Sequence, residues 1–169
     1  METLQAILSR RSVRKYRPEP VAPDDLARIL EAGCQAPSAG NRQPWHFIVI
    51  TDPTQRKAAA EACNGQVWMA DAGAIICACG LPAVSERWWR VDPAIALQNM
   101  ILAATALGYG TCWVGAFSEE AVKSVLGIPP ELNVVALTPI GMPDESPAAR
   151  PRKSAAEVCS QDRYLEPLG

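Results

Sequence analysis

No stretch of this chain is apolar for long enough to span a bilayer. The longest weakly polar run, about residues 72–84, carries Gly80 and Pro82 and falls short of the roughly 20 apolar residues that a spanning helix needs. The opening Met1-Glu-Thr-Leu-Gln has no basic flank followed by an apolar core, so it does not read as a signal peptide. Neither sign of charge is in excess. A net charge of −2 gives no bulk electrostatic reason to bind nucleic acid or a membrane surface. Histidine is nearly absent, with His46 alone, and no Cys-x-x-Cys occurs. The six cysteines, Cys34, Cys63, Cys77, Cys79, Cys112 and Cys159, therefore make a poor metal site and read as reduced, mostly buried thiols, with Cys77 and Cys79 on one face of a strand. No Gly-x-Gly-x-x-Gly follows a strand, and there is neither a Walker glycine loop nor a Gly-x-Ser-x-Gly elbow. A dinucleotide-binding Rossmann domain and a serine hydrolase are both disfavoured. The expectation is a cytoplasmic protein with no nucleic-acid partner, no membrane partner and no metal.

What is present is ordinary globular composition: 169 residues, 49% apolar and 20% charged, enough for one domain over 1–169 with an extended tail from about residue 142. Leu4, Ile7 and Leu8 at helical spacing predict a short helix over 3–9. Pro23 with Asp24 and Asp25 opens a second helix, whose apolar stripe includes Leu26, Ile29 and Leu30. Residues 45–51 are β-branched and nearly all apolar, the pattern of a strand buried on both faces, with His46 packed rather than catalytic. A helix over 54–63, a strand over 73–79 and an irregular segment over 80–89 come next. In that segment Trp88 and Trp89 form either a ligand lid or an oligomer contact. Asp92 as N-cap and Pro93 open a long helix over 94–107, then come a strand over 111–115, a helix capped by Ser118 and a last strand over 133–140. Alternating strands and helices give α/β or α+β, with a central sheet and helices on both faces.

Two polar features stand out from this frame. Ser9-Arg-Arg-Ser-Val-Arg-Lys-Tyr-Arg17 holds five basic residues in nine. Alternation puts Arg10, Ser12 and Arg14 on one side of an extended segment, where guanidinium forks and a hydroxyl match phosphate oxygens, although most such runs are merely solvated. A second basic group, Arg150-Pro-Arg-Lys153, lies in the tail. The other feature is the loop Ala36-Pro-Ser-Ala-Gly-Asn-Arg-Gln-Pro-Trp-His-Phe47, in which Ser38, Asn41, Arg42 and Gln43 supply donors and acceptors between two prolines. No acid–base pair or nucleophile accompanies them. An enzyme without side-chain chemistry of its own borrows it from a cofactor, and one phosphate held by arginines beside a flat ring read by amides and backbone describes FMN.

Four segments, in order, resemble the FMN-dependent nitroreductase family: Arg10-Arg-Ser-Val-Arg-Lys-Tyr16, the loop 36–47, Ala96 to Gly115 with its Leu-Gly-Tyr-Gly-Thr-Cys-Trp-Val-Gly ending, and Pro139-Ile-Gly-Met-Pro143 followed by Arg150-Pro-Arg152. The resemblance implies an α+β fold and an intertwined homodimer with FMN at the subunit interface. By position it assigns the FMN phosphate to Arg10, Ser12, Arg150 and Arg152, with Arg11 also among the cofactor-binding residues. It puts Arg14 near the pyrimidine edge, where a cation favours the negative charge that grows on reduction. Pro37, Ser38, Ala39 and Asn41 match the loop that reaches the flavin from the other subunit, and Trp113, Val114 and Gly115 match the segment lining the ring near N5. An amide side chain that reads the pyrimidine edge is either Asn64 or Gln66. The stretch 80–92 is too brief for the helical lid of larger members, and Val114 stands where an acidic residue is common.

The activity this implies is a ping-pong oxidoreductase that takes hydride from NADH or NADPH and reduces a flat acceptor, a nitroaromatic or a quinone. An FMN carrier with little turnover, or a related flavin enzyme with another reaction, is the alternative. A phosphate pocket without flavin is the plainest one.

Overall fold

The computed structural model describes residues 2–168. The elements run α1 (Thr3–Ser9), α2 (Pro23–Cys34), β1 (Trp45–Ile50), α3 (Pro53–Ala62), β2 (Ala74–Gly80), α4 (Asp92–Ala106), β3 (Gly110–Thr111), α5 (Glu119–Leu126), β4 (Asn133–Gly141) and α6 (Ala155–Val158). Single 3-10 turns cover Ala39–Asn41 and Val67–Asp71. Local chemistry sets several boundaries. Asp52 caps α3 by accepting from the Gln55 N–H at 2.9 Å, and Ser118 caps α5 by accepting from Ala121 N–H at 3.3 Å. Gly127, at φ 64°, ends α5 in the left-handed conformation that costs glycine little.

The sheet order is β1-β2-β4-β3, and each neighbouring pair is antiparallel. Alternation along β2 divides the core in two. Ala74, Ile76 and Ala78 pack with Ile29 of α2 and with Leu97, Met100 and Ile101 of α4. Ile75, Cys77 and Cys79 pack with Ala59, Ala60 and Cys63 at α3 and with Val122 of α5. Helices thus cover both faces in an α+β fold, and each fully buried Ile or Leu contributes about 1.5–3 kcal/mol. Cys77 and Cys79 do share a face, inside the apolar layer. Cys34 and Cys159 are exposed.

Three expectations change. Residues 45–50 form an edge strand rather than one buried on both faces: Phe47, Ile48 and Val49 are half-buried and His46 is exposed, because no strand of the described chain lies beyond β1. The strand expected over 111–115 is cut short. Gly110 faces Gly141 and Thr111 faces Ile140, and the register resumes only as a single bridge between Val114 and Leu137. Pro139 stands opposite Cys112 in that register and has no N–H to donate. Asp92 does not cap α4. Val91 holds the N-cap position and Asp92 is the first helical residue, its side chain free to reach another segment.

Residues 81–91 form successive turns tied to the sheet end, with Leu81 N–H donating to Pro44 O at 3.0 Å and Trp89 N–H to Ser85 O at 3.1 Å. After β4 the chain is irregular apart from α6 and a turn over 161–166, and everything from Ala148 to Leu168 is exposed. No helix is long and apolar enough to cross a membrane.

Candidate functional site

The arginine-rich segment is an extended rib held on both edges. On one side Ser12 bridges Thr111 in parallel, and Val13 N–H donates to Thr111 O at 2.9 Å. On the other, Tyr16 faces Pro143, Arg17 N–H donates to Met142 O and Asp144 N–H donates to Lys15 O, both at 2.9 Å. Glu145 Oε1 accepts from Arg14 N–H at 2.5 Å. Gly110 permits this closeness, since a Cβ there would stand 2.9 Å from the Val13 side chain. Alternation holds as far as Arg14: Val13 goes into the core, while Arg10, Ser12 and Arg14 stay at the surface; it then breaks, since Tyr16 turns inward and Lys15 stays exposed.

Those outward side chains line a cavity of about 430 Å³ together with Arg11, Arg150 and Arg152, with Ile7 and Leu8 of α1 as its apolar wall. The two basic groups, far apart in sequence, share one space. None of these arginines forms an ion pair with a carboxylate among the described residues, where the ion pairs are Arg28–Asp25 and Lys123–Glu119. Arg11 is partly spent, since its Nη1 donates to Leu8 O at 2.7 Å and to Arg10 O at 2.9 Å. Arg14 lies 5.9 Å over the ring of Trp68, and Tyr16 stacks on the same ring at 6.4 Å. Burial pushes the Tyr16 phenol far up, and its O–H donates to Val13 O at 2.6 Å. Burial also raises the Cys112 thiol, against the pull of the Arg14 guanidinium.

Beyond β3 the chain alternates again. Trp113 is exposed, Val114 is buried, and Gly115 and Ala116 are exposed. Both backbone groups of Val114 are used, its N–H donating to Leu137 O at 2.9 Å and its O accepting from Leu137 N–H at 3.0 Å. The N–H groups of Gly115 and Ala116, like that of Trp113, bond to nothing among the described residues and are open to a ligand. Gln66 braces this segment: its Nε2 donates to Ala116 O at 2.9 Å and to Cys63 O at 3.0 Å, leaving Oε1 available. Asn64 is exposed at φ 55°, and its side chain bonds to nothing among the described residues.

The loop 36–47 organises itself separately. Gln43 N–H donates to Ser38 Oγ at 3.0 Å, and Asn41 and Gln43 both take positive φ beside Gly40. Asp92, almost fully buried, accepts from Ala39 N–H at 3.1 Å and so pins the loop to the start of α4. Pro37, Ser38, Ala39 and Asn41 sit together, but not with the arginines. The loop enters β1 at Trp45, opposite Gly80 on β2, whereas β3 meets β4 beside the Ala74 end of β2. Three inter-strand spacings and a strand's length lie between, on the order of 20 Å.

The sequence reading overlooked Trp68, Glu145, Ala116 and the side chain of Asp92. For Ala116 alternation gives no signal, since it would share the inward face of Val114; its exposure follows from the pairing ending at the single Val114–Leu137 bridge. Trp68, Glu145 and Asp92 act through contacts 50 or more residues away in sequence, which no local pattern announces.

The nitroreductase family model matches residues 7–76 and 65–142. The chain belongs to the nitroreductase family. It is 37% identical over 151 residues to a protein of Archaeoglobus fulgidus with the provisional name NADH dehydrogenase/NAD(P)H nitroreductase, covering 85% of this chain and 87% of that one. It is 28% identical over 180 residues to the NADPH-flavin oxidoreductase of Vibrio harveyi, covering 97% of this chain and 75% of the relative. Among solved structures, a nitroreductase family protein from Clostridium novyi superposes with a TM-score of 0.79 at 32% identity, over 99% of this chain and 97% of the other. The NADPH:FMN oxidoreductase of Vibrio harveyi, solved with NAD+, superposes with a TM-score of 0.89 at 26% identity, over 97% of this chain and 78% of the other.

Proposed function

We propose that this nitroreductase is an FMN-dependent oxidoreductase that uses NADH or NADPH and works as a homodimer. The observation that carries the reading is the cavity in which Arg10, Arg11, Ser12, Arg14, Arg150 and Arg152 converge without carboxylate partners, in a member of this family. A phosphate monoester is dianionic near neutral pH, and guanidinium forks with a hydroxyl satisfy it through charge-assisted hydrogen bonds. The backbone N–H groups of Gly115 and Ala116 and the free Oε1 of Gln66 fit the edges of a flat heterocycle. This donor set therefore fits FMN. Bound there, FMN supplies a ring nitrogen that accepts hydride from a nicotinamide and gives it up to an electron acceptor.

The chain's own residues do the rest. Arg10, Ser12, Arg150 and Arg152 hold the phosphate, and Arg14, steadied on Trp68, presents positive charge where negative charge grows on reduction. Gly115 and Ala116 donate hydrogen bonds that orient the ring. Pro37, Ser38, Ala39 and Asn41 stand too far from this cavity in one chain, so a second copy brings its loop to complete the site. Exposed Leu4, Leu8, Val91 and Ile95 give that copy an apolar surface to cover. Donor and acceptor, a nitroaromatic or a quinone, take the same open place in turn.

The deciding experiment is an absorbance spectrum after incubation with FMN and desalting, followed by anaerobic addition of NADH or NADPH. A flavin band that bleaches is the expected result. A band that persists with both donors would make the protein a flavin carrier instead, and an absent band would remove FMN. Parallel steady-state lines, rather than intersecting ones, are expected for donor against acceptor.

A further inference from the structure

The turn that links α3 to β2 touches both halves of the proposed site. It is the 3-10 turn over Val67–Asp71, with Gln66 at its N-cap position. Its backbone is tied to the rest of the fold. Arg56 of α3 donates from Nε to Ala70 O and from Nη1 to Gly73 O, both at 3.2 Å, and Met69 is fully buried. Two side chains leave this fixed turn for the site. Gln66 holds the segment 113–116 through Ala116 O at 2.9 Å. Trp68, half-buried, offers its ring to the arginine rib: the Arg14 guanidinium lies 5.9 Å from its centroid, and Tyr16 stacks on it at 6.4 Å with the planes 20° apart. The first distance is inside the roughly 6 Å range in which a ring face attracts a cation. Little else holds that guanidinium. Glu145 accepts from the Arg14 backbone N–H, no carboxylate pairs with the side chain among the described residues, and its hydrogen bond to Ser12 O is stretched to 3.5 Å. Arg14 lines the arginine cavity and Trp68 does not, so any effect of Trp68 on a ligand there passes through its neighbour.

We propose that Trp68 is a positioning residue for the flavin: by holding the Arg14 guanidinium, it sets how strongly the site prefers reduced over oxidised FMN. The inference rests on the proposed function, in which Arg14 faces the ring. The turn that fixes Ala116 through Gln66 also fixes Arg14 through Trp68, two residues on, so the cation and the ring-orienting donors keep a set spacing. Reduction adds negative charge to the bound ring. A cation already held in place stabilises that charge without first having to be ordered, whereas a swinging guanidinium is solvated and screened. The preference appears directly in the midpoint potential, which for a two-electron couple rises by about 30 mV for each tenfold ratio of affinities.

The test uses the flavin-loaded protein. Its midpoint potential is measured by anaerobic equilibration with a reference dye, with flavin content read by absorbance in every variant. Trp68→Leu should lower the preference for reduced FMN by up to about tenfold, and the potential with it by up to about 30 mV. Trp68→Phe, which keeps a ring, should recover part of that loss. Arg14→Gln should lower the potential at least as far, and adding Trp68→Leu to it should change nothing further, because one residue acts only through the other. Should Trp68→Leu fail to fold, Trp68→Phe carries the same test, with a smaller fall that Arg14→Gln abolishes. A native potential in both Trp68 variants, or equal falls with and without Arg14, overturns the inference. So does an Arg14→Gln variant with full flavin and the native potential. Each of these outcomes leaves FMN binding standing, whereas a native protein that retains no FMN overturns the underlying reading as well.

Discussion

At the corner beside β3, the rib 10–17 is hydrogen-bonded along both edges and its guanidiniums share a cavity with the tail of the same chain. At the corner where the chain enters β1, residues 37–43 satisfy one another and Asp92, and their other side-chain polar groups meet nothing else among the described residues. The first corner is the proposed anion site, built within one chain. The second is ordered by its own bonds and by Asp92, with its polar groups exposed. On the proposed function, the contrast explains how a short chain builds its ligand site: it makes the part that needs charge locally and takes the part that needs shape from a second copy.

The strongest way to break the contrast is to separate the copies. Ile95→Glu puts a charge on the exposed apolar start of α4 without touching the arginine cavity. It should yield a monomer and release nearly all the flavin, since interfacial charges of this kind cost several kcal/mol. Sedimentation at the protein and flavin wavelengths together would check this. A folded monomer with full flavin content would show that the loop corner is dispensable.

The next largest effect lies in the first corner. Arg10→Ala should weaken FMN binding by about 1.5–3 kcal/mol, roughly ten- to a hundredfold, and Ser12→Ala by about 1 kcal/mol, with the dimer intact. Fluorescence titration of the apoprotein with FMN measures both. Full affinity in both variants would move the phosphate elsewhere.

These two corners also differ in how openly the sequence displayed them. The arginine rib was legible because period-two spacing at 10, 12 and 14 is a local property, and so was the self-capped loop between Pro37 and Pro44. That the tail arginines join the rib depends on Tyr16 pairing with Pro143, a contact across the chain. Only the family resemblance suggested it. β1 was misread as doubly buried because its composition suits a covered strand, and composition does not say whether the cover comes from the same chain. Asp92 was misread for a related reason. An Asp before Pro is a good cap in isolation, but the Ala39 N–H, 53 residues away, won its carboxylate.

Asp92→Ala tests that bond. It removes the acceptor of a half-buried N–H and should cost about 1–2 kcal/mol of stability, with a further loss of flavin if the loop shifts. Thermal unfolding with and without FMN separates the two. The self-sufficient core makes a smaller, pH-dependent prediction. Burial pushes the Cys63 thiol up from 9.0 to about 11. The unfolded thiol ionises first as pH rises, so the folded state keeps its full margin below pH 9 and loses it between pH 9 and 11, by up to about 1.4 kcal/mol per unit. Denaturant unfolding at pH 8.5, 9.5 and 10.5 reads this, and Cys63→Ala should flatten that part of the slope.

The smallest effect decides between two amides. Gln66 is tied through Nε2 to the Ala116 carbonyl, which fixes its free Oε1 beside the exposed N–H groups of Gly115 and Ala116. Asn64 sits at φ 55°, a conformation glycine takes freely, with a solvent-facing side chain. Asn64→Gly should therefore change stability by less than about 0.5 kcal/mol and leave flavin retention intact. Gln66→Ala should reduce flavin affinity by about 1 kcal/mol, because it removes one acceptor and loosens the segment that aims two donors. If the flavin is lost from the Asn64 variant and kept in the other, the pyrimidine edge is read from the turn. The brace between Gln66 and Ala116 would then be purely structural.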